Sequence, residues 1–112
     1  MVRPLHILLV EDNQAFRLTL GAVLEDAGHR VACAGSVSAA RVLLDTHRFE
    51  AALVDLHLPD GSGSELVVEL RQRDPAMLVA LISGSASSTD RTAADVHFDK
   101  SGDPELLLRL ID

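Results

Sequence analysis

Short apolar runs of strand length recur along this sequence, and amphipathic stretches with helical spacing separate them. The clearest runs span residues 7–10, 51–54 and 77–82, and none of the three contains a charged side chain. Weaker runs span residues 31–34 and 96–98. A strand that is apolar on both faces must be covered on both faces, which is typical of a parallel sheet. The sequence therefore predicts an α/β protein with a doubly wound five-stranded parallel sheet and helices on both faces.

Turn and capping residues stand between these runs, where helices are expected to begin or end. Gly28 follows the first amphipathic stretch and is predicted to stop that helix. Ser36 is placed to cap the second helix, and Pro104 suits the first turn of the last one. The segment 59–63, Pro-Asp-Gly-Ser-Gly, is predicted to form a turn before the next helix. This organisation fits a single domain over residues 1–112.

The composition argues against nucleic-acid binding and against a disulfide scaffold. The chain carries 17 acidic and 10 basic side chains, a formal net charge of −7. A duplex-binding domain depends instead on cationic side chains that neutralise phosphates. Three Phe with no Trp or Tyr are too few for a base-stacking platform. The single cysteine, Cys33, cannot close an intramolecular disulfide, and we expect it to be a small buried apolar residue.

The apolar runs are too short to cross a membrane. The longest, residues 76–82, has seven residues, whereas a membrane span needs about 20. The N-terminal apolar stretch leads into Glu11 and Asp12, where a secretory signal would carry small residues and a cleavage site. We therefore expect a cytoplasmic protein without membrane contact.

Polar residues suited to one kind of chemistry stand where the predicted strands end. In a doubly wound sheet of order 2-1-3-4-5, strands one, three, four and five are neighbours, and ligands bind outside their carboxyl ends. The residues at these ends are Glu11 and Asp12, Asp55, Ser83 and Lys100. We therefore expect their side chains to open into one cleft.

Three carboxylates in one cleft require a cation, because they repel one another. Two like charges about 4 Å apart cost on the order of 4 kcal/mol at an effective dielectric constant of about 20. Mg²⁺ is the natural candidate, since it binds a few carboxylates together with water and phosphate oxygens. A hydroxyl and an ammonium beside it are what a transferring phosphoryl group needs. The sequence therefore predicts magnesium-dependent phosphoryl transfer.

These motifs resemble the receiver domain of two-component response regulators over nearly the whole chain. The matching segments are ILLVEDN at 7–13, LVDLHLPDGSG at 53–63, ISG at 82–84, and Lys100. Each is weak by itself, but the second segment together with the upstream acidic pair is specific. The resemblance implies a flavodoxin-like fold and a function in phosphorelay signalling.

The resemblance also implies where the phosphoryl group and the metal bind. Asp55 would be the phosphoacceptor, attacking a phosphohistidine on a sensor histidine kinase or a phosphotransfer protein. Glu11 and Asp12 would hold Mg²⁺ directly or through water, and Asp55 with the backbone carbonyl of His57 would complete the protein ligands. The His57 side chain has two open interpretations: it could face the route of the attacking water, or it could be a solvent-exposed loop residue.

The remaining roles concern the phosphoryl oxygens and the response to phosphorylation. By resemblance, Ser83 and Lys100 would contact the phosphoryl oxygens, and Gly84 would leave room for the donor. Ser83 and His97 would act as the switch that changes contacts with a downstream protein target. Such a domain catalyses its own phosphorylation and is not a turnover enzyme. We expect a stand-alone receiver.

Three features depart from the family pattern. Lys100 is followed by Ser101, where the family usually has a proline joined by a cis peptide bond. Lys100 follows Ser83 by only 17 positions, and the missing length falls in the fourth helical region. There we expect residues 85–90 to form a loop and at most residues 89–94 to form a helical turn or two. His97 stands where the family has its switch aromatic residue.

These departures leave two other functions open. The chain could be a pseudo-receiver, a binding module that keeps the fold without using phosphorylation. It could also be a small aspartyl-phosphate phosphatase, but that chemistry needs a second acid two residues after the nucleophile, where this chain has His57. Taken one by one, the site residues also have plain structural interpretations: Asp12 or Asn13 could cap the first helix, and Lys100 could be a solvated charge. The sequence also leaves open whether the chain is a piece of a longer protein.

Overall fold

A computed structural model describes residues 4–84, 94–100 and 102–111 of the chain. Its main sheet has five parallel strands: β1 (His6–Val10), β2 (Arg30–Ala34), β3 (Ala51–Asp55), β4 (Leu78–Ser83) and β5 (Val96–Asp99). Four helices are described: α1 (Gln14–Asp26), α2 (Val37–Thr46), α3 (Gly63–Arg73) and α4 (Pro104–Ile111). The strand order is β2-β1-β3-β4-β5, which confirms the predicted flavodoxin-like topology.

The central strands are apolar throughout because each packs on two layers of helix. Along β1, Leu8 and Val10 pack in the cluster formed with α2 and α3. Ile7 and Leu9 point to the opposite face and pack in the cluster that contains α1 and Leu107 of α4. Successive side chains of a strand alternate between the two faces, so a strand buried on both shows no polar residue.

Capping residues start the first two helices as predicted, and a glycine follows the first. The side chain of Asn13 accepts a hydrogen bond from Phe16 N at 2.9 Å, so Asn13, not Asp12, caps α1. Ser36 Oγ accepts a hydrogen bond from Ala39 N at 3.1 Å and caps α2. Gly28 has a φ of +99°, a conformation that side chains with a Cβ rarely adopt, so the chain can turn there from α1 into β2.

The predicted turn after β3 is a small hairpin in which the two-residue strands His57–Leu58 and Gly61–Ser62 pair antiparallel. Gly63 follows directly and begins α3. A Cβ on Gly63 would lie 2.0 Å from the backbone oxygen of Asp55, so this position requires glycine. The chain after β3 is thereby packed closely against the residue that ends the strand.

Cys33 is exposed, and the expectation that it is buried was wrong. It lies on β2, an edge strand that pairs only with β1. Gly21 of α1, which has no side chain, lies near its sulfur: a Cβ built there would lie 4.0 Å from Cys33 Sγ. An edge strand with a glycine above it covers its side chains less than a central strand does.

Two further expectations concern the shortened segment after β4 and the absence of a membrane span. Most of the shortened segment, residues 85–93, lies outside the described residues, so the expectation for the fourth helical region stays a prediction. Among the described residues, no helix combines the length and the apolar character that a membrane crossing requires.

Candidate functional site

The carboxyl ends of β1, β3, β4 and β5 lie side by side, and the polar residues predicted from the sequence stand there. The register pairs Val10 with Val54, Asp55 with Ile82, and Ser83 with Asp99. Because parallel strands end at the same edge of a sheet, residues far apart in sequence come together there. The residues expected at the strand ends therefore lie at one edge of the sheet, a region that we call the cleft.

Three carboxylates form a cluster in this cleft. Glu11, Asp12 and Asp55 each offer an oxygen, and these oxygens all lie within 4.8 Å of one another. Glu11 is fully buried, Asp55 is 3% exposed, and Asp12 faces solvent. The cluster thus has a buried floor and one open side, as a site for a hard cation that keeps some of its water requires.

The ammonium of Lys100 lies between two of these carboxylates. Lys100 Nζ is 2.7 Å from Glu11 Oε1 and 3.1 Å from Asp55 Oδ2. Burial lowers the pKa of Lys100, but the hydrogen bonds with Glu11 and Asp55 outweigh this effect, and the net shift is upward. The lysine therefore stays charged and offsets part of the negative charge of the cluster.

The pKa values of Glu11 and Asp12 shift in opposite directions. Burial raises the pKa of Glu11 to about 6, and Asp55 adds to the rise, although Lys100 and the backbone N–H of Asn13 oppose it. The hydrogen bond with Glu11 lowers the pKa of Asp12. Glu11 is therefore the carboxyl group of this pair that takes up a proton at the higher pH.

The backbone around Lys100 aims its side chain without the proline that the family usually has. Lys100 N donates a hydrogen bond to Ser83 O at 2.9 Å, which extends the pairing of β4 with β5 beyond the strand. Gly102 N donates to Asp99 O at 2.8 Å. The Lys100–Ser101 peptide bond lies outside the described residues. Strand pairing holds the backbone of Lys100 where its ammonium reaches Glu11 and Asp55.

The other predicted site residues lie around the cluster at the same edge. Ser83 ends β4, and Gly84 after it is exposed: a Cβ there would meet no described atom within 4 Å. His57 is exposed, and its backbone N–H donates to Asp55 Oδ1 at 3.2 Å, so its amide orients the central carboxylate. His97 is exposed on β5. It pairs with Leu81 of β4, and Leu81 stands two residues before Ser83.

Two neighbours on α1 also contact the cluster, and the sequence analysis assigned them no role in it. The ring of Phe16 lies 5.2 Å from Lys100 Nζ, within the range of a cation–π contact. Arg17 Nη1 donates a hydrogen bond to the backbone oxygen of Glu11 at 2.7 Å. Phe16 is one of several apolar residues on α1, and the sequence does not mark Arg17, since its target is a backbone atom.

Asp60 is a third residue whose role only the structure reveals. Its carboxylate accepts hydrogen bonds from Val37 N at 2.8 Å and from Ser38 N at 3.0 Å. These bonds, with one from the Ser38 hydroxyl, lower the pKa of Asp60. Asp60 thus connects the hairpin after β3 to the first turn of α2, where the sequence suggested only a turn residue.

The donor set fits a hard divalent cation. All three clustered side chains offer carboxylate oxygens, which Mg²⁺ and Ca²⁺ prefer over nitrogen or sulfur. Glu11 Oε1 is buried and contacts the Lys100 ammonium at 2.7 Å, whereas Asp12 is exposed and gives the cluster access to solvent.

Known proteins with similar sequences agree with this fold and with these strand-end residues. The model of the response regulator receiver domain matches residues 7–107. The photosynthetic apparatus regulatory protein RegA of Rhodobacter capsulatus is 33% identical over 88 residues, which are 79% of this chain and 48% of that protein. The chain thus spans about half of the length of this curated relative.

Solved structures of receivers superimpose closely on the fold. The receiver domain protein of Methanospirillum hungatei has a TM-score of 0.89 at 28% identity, covering 97% of this chain and 91% of that one. A response regulator of Burkholderia pseudomallei has a TM-score of 0.86 at 29% identity, covering 96% and 66% of the two chains. That structure holds a phosphorylated aspartic acid, a calcium ion and citrate. With its sheet order, its acidic cluster and a family match over most of its length, this chain belongs to the response regulator receiver domains of two-component systems.

Proposed function

We propose that this chain is a phosphoacceptor that receives a phosphoryl group on Asp55 in a reaction that requires Mg²⁺. The observation that carries the proposal is the contact of Asp55 with Lys100, at 3.1 Å, inside a cluster of three carboxylates. A carboxylate that served only as a strand-end turn residue would need neither a half-buried lysine nor two further acids. The phosphorylated aspartic acid of the related Burkholderia pseudomallei protein supports the same chemistry.

In the proposed reaction an oxygen of the Asp55 carboxylate attacks the phosphorus of a phosphohistidine. The new O–P bond makes an acyl phosphate while the P–N bond breaks, and its electron pair returns to the imidazole, which takes up a proton. The amide of His57 holds Asp55 Oδ1 at 3.2 Å, and this bond orients the carboxylate for attack. The exposed Gly84 leaves space at the cleft for the donor imidazole.

Mg²⁺ would be held by Glu11, Asp12 and Asp55, with the backbone carbonyl of His57 as a further ligand, and it would offset charge on the phosphoryl oxygens. The Lys100 ammonium, which contacts Asp55 in the unphosphorylated chain, would contact a phosphoryl oxygen after the transfer. The Ser83 hydroxyl would contact a second phosphoryl oxygen. These groups act mainly by placing positive charge and hydrogen-bond donors where charge develops in the transition state.

The donor would be a sensor histidine kinase or a phosphotransfer protein, and the output would be a changed contact with a downstream protein. A phosphoryl group adds about −1.5 to −2 charges to the cleft. Ser83 would move toward the new charge, and His97, two residues away in the register, would follow it as the switch residue. Because the chain is the acceptor of its own reaction, we propose a switch and not a turnover enzyme.

The test is intact-mass measurement after incubation with a small acyl-phosphate donor and Mg²⁺. We expect the mass to increase by one phosphoryl group in the native chain, to stay unchanged in Asp55→Asn, and to stay unchanged when a chelator replaces Mg²⁺. Asp26→Asn, an exposed acid at the end of α1, is the matched control and should be phosphorylated normally.

Each alternative has its own result in this experiment. No added phosphate on the native chain would contradict the proposal and favour a pseudo-receiver. Phosphate retained by Asp55→Asn would place the acceptor elsewhere. Continuous consumption of the donor without a phosphorylated chain would indicate a phosphatase.

A further inference from the structure

The segment that carries two of the three clustered acids is connected to α1 by one short hydrogen bond from a side chain. Arg17 Nη1 donates to the backbone oxygen of Glu11 at 2.7 Å. That oxygen belongs to the peptide unit that joins Glu11 to Asp12. The orientation of this peptide decides how the two carboxylates face each other, because their Cα atoms are its two ends.

Other bonds in this segment hold Glu11 from different sides. Glu11 N donates to Ala34 O at 2.9 Å, which continues the pairing of β1 with β2. Asn13 N donates to Glu11 Oε2 at 3.0 Å and fixes the side chain. Arg17 holds the backbone carbonyl of Glu11, which precedes the exposed Asp12.

The guanidinium has a defined place between α1 and the turn that follows β2. A Cβ built on Gly35 would lie 3.5 Å from Arg17 Nη1, an ordinary van der Waals distance, so the guanidinium lies beside the turn that follows β2. Arg17 is half-buried, and its planar fork has fewer ways to relax than a flexible surface side chain.

We propose that Arg17 is a positioning residue for the cation site: it orients the Glu11–Asp12 peptide so that both carboxylates face the metal. This inference rests on the proposed metal site of Glu11, Asp12 and Asp55. Arg17 acts through the backbone of Glu11 and is assigned no contact with the phosphoryl group.

The charge of Arg17 and its hydrogen bond should affect cation binding in opposite directions, so one substitution distinguishes the two effects. A guanidinium near the site repels a cation, so if charge alone mattered, removing it would tighten Mg²⁺ binding. If orientation matters, Arg17→Gln should weaken Mg²⁺ binding by about tenfold, the lower end of the effect of residues that orient metal ligands. Arg17→Lys keeps the charge without the fork geometry and should be intermediate.

The experiment measures Mg²⁺ binding to the full chain by titration calorimetry, since the chain has no Trp or Tyr to report binding by fluorescence. Arg30→Gln is the matched control, because Arg30 is exposed at the opposite end of β2 and loses the same charge. Circular dichroism and thermal unfolding in a chelator establish that each variant is folded. Arg17→Lys carries the test if Arg17→Gln does not fold.

We expect a raised Kd for Mg²⁺ in Arg17→Gln, an unchanged Kd in Arg30→Gln, and an unchanged rate of Asp55 phosphorylation at saturating Mg²⁺. A merely structural defect would lower that rate and the thermal stability as well. Equal or tighter Mg²⁺ binding by Arg17→Gln would overturn the inference and leave the proposed function intact. If the native chain bound no Mg²⁺ but were still phosphorylated on Asp55, the metal assignment and this inference would both be overturned.

Discussion

Lys100 Nζ and Asp55 Oδ2 lie 3.1 Å apart although 45 positions separate the two residues in sequence. Lys100 is the only lysine of the chain; the other nine basic residues are arginines. The lysine is 25% exposed at its side chain and also contacts Glu11, so its ammonium fills a small space between two carboxylates. A compact point charge can contact both carboxylates at these distances, whereas a planar guanidinium presents its N–H groups in a fixed fork and requires a different geometry.

Lys100→Arg therefore tests whether the size of the cation matters as well as its charge. We expect the rate of Asp55 phosphorylation by a small acyl-phosphate donor to fall by about 100-fold, as when one charge-stabilising group is lost from an active site. The rate of Asp55 phosphorylation in Lys100→Met should fall by at least the same factor. A rate near that of the native chain in Lys100→Arg would contradict a role for the compact ammonium.

Phe16→Leu should weaken the placement of Lys100 while leaving the metal ligands unchanged. The ring lies 5.2 Å from Lys100 Nζ, and such a contact contributes about 0.5–1 kcal/mol. We expect the phosphorylation rate at saturating Mg²⁺ to fall about two- to fivefold, with the same Kd for Mg²⁺. This pattern is the reverse of the one expected for Arg17→Gln, and a change in Mg²⁺ affinity alone would refute it.

Mg²⁺ binding should weaken as the pH falls through about 6, because burial raises the pKa of Glu11 to about 6 and a protonated carboxyl group is a poor ligand. Bound Mg²⁺ favours the ionised form, so the loss should extend somewhat below that pH. Calorimetric titration with MgCl₂ at several pH values measures the effect. Glu11→Gln should bind Mg²⁺ weakly at every pH, and a native Kd that did not change with pH would argue against Glu11 as a ligand.

The stability of the metal-free chain should respond to the same group in the opposite direction. Glu11 has a folded-state pKa of about 6, above its ordinary value of 4.5, so the folded chain binds more protons than the unfolded chain between these values. Its contribution to the free energy of unfolding therefore rises as the pH falls through this window. Chemical denaturation in a chelator at several pH values measures it. The difference between the native chain and Glu11→Gln isolates Glu11 from the five histidines, and a pH-independent difference would disprove this assignment.

Gly63→Ala should destabilise the fold, because the new Cβ would lie 2.0 Å from Asp55 O and 2.9 Å from Leu56 Cα. Both are backbone atoms, so α3 or the end of β3 would have to shift. We expect a loss of more than about 2 kcal/mol in the free energy of unfolding, measured with urea. Gly84→Ala is the control, since its Cβ would meet no described atom within 4 Å. Equal stability of the two variants would show that the end of β3 can yield at no cost.

Much of the fold could be predicted because local rules and tertiary packing agree in this chain. The central strands are apolar on both faces, which only a sheet covered on both sides accommodates, and Ser36 and Gly28 mark helix ends by local geometry. Cys33 was mispredicted because burial depends on what lies above a residue, here the edge of the sheet and Gly21.

The candidate site, too, was predictable from the sequence only in part. The sequence by itself determined which residue types stand at the strand ends, namely Glu11 and Asp12, Asp55, Ser83 and Lys100, since each lies within two residues of the end of an apolar run. It could not determine that Asn13 rather than Asp12 caps α1, or that Phe16 lies against Lys100. These depend on the angle at which α1 crosses the sheet.

Only the tertiary structure decided how the acids are held. The bond from Arg17 to Glu11 O, the bonds from Asp60 to the first turn of α2 and the close approach of Gly63 to Asp55 all involve backbone atoms. Every residue carries the same backbone atoms, so a sequence does not mark which of them will be a partner. Their positions become defined when the strands pair and the helices pack, and the clustered acids depend on that packing for their arrangement.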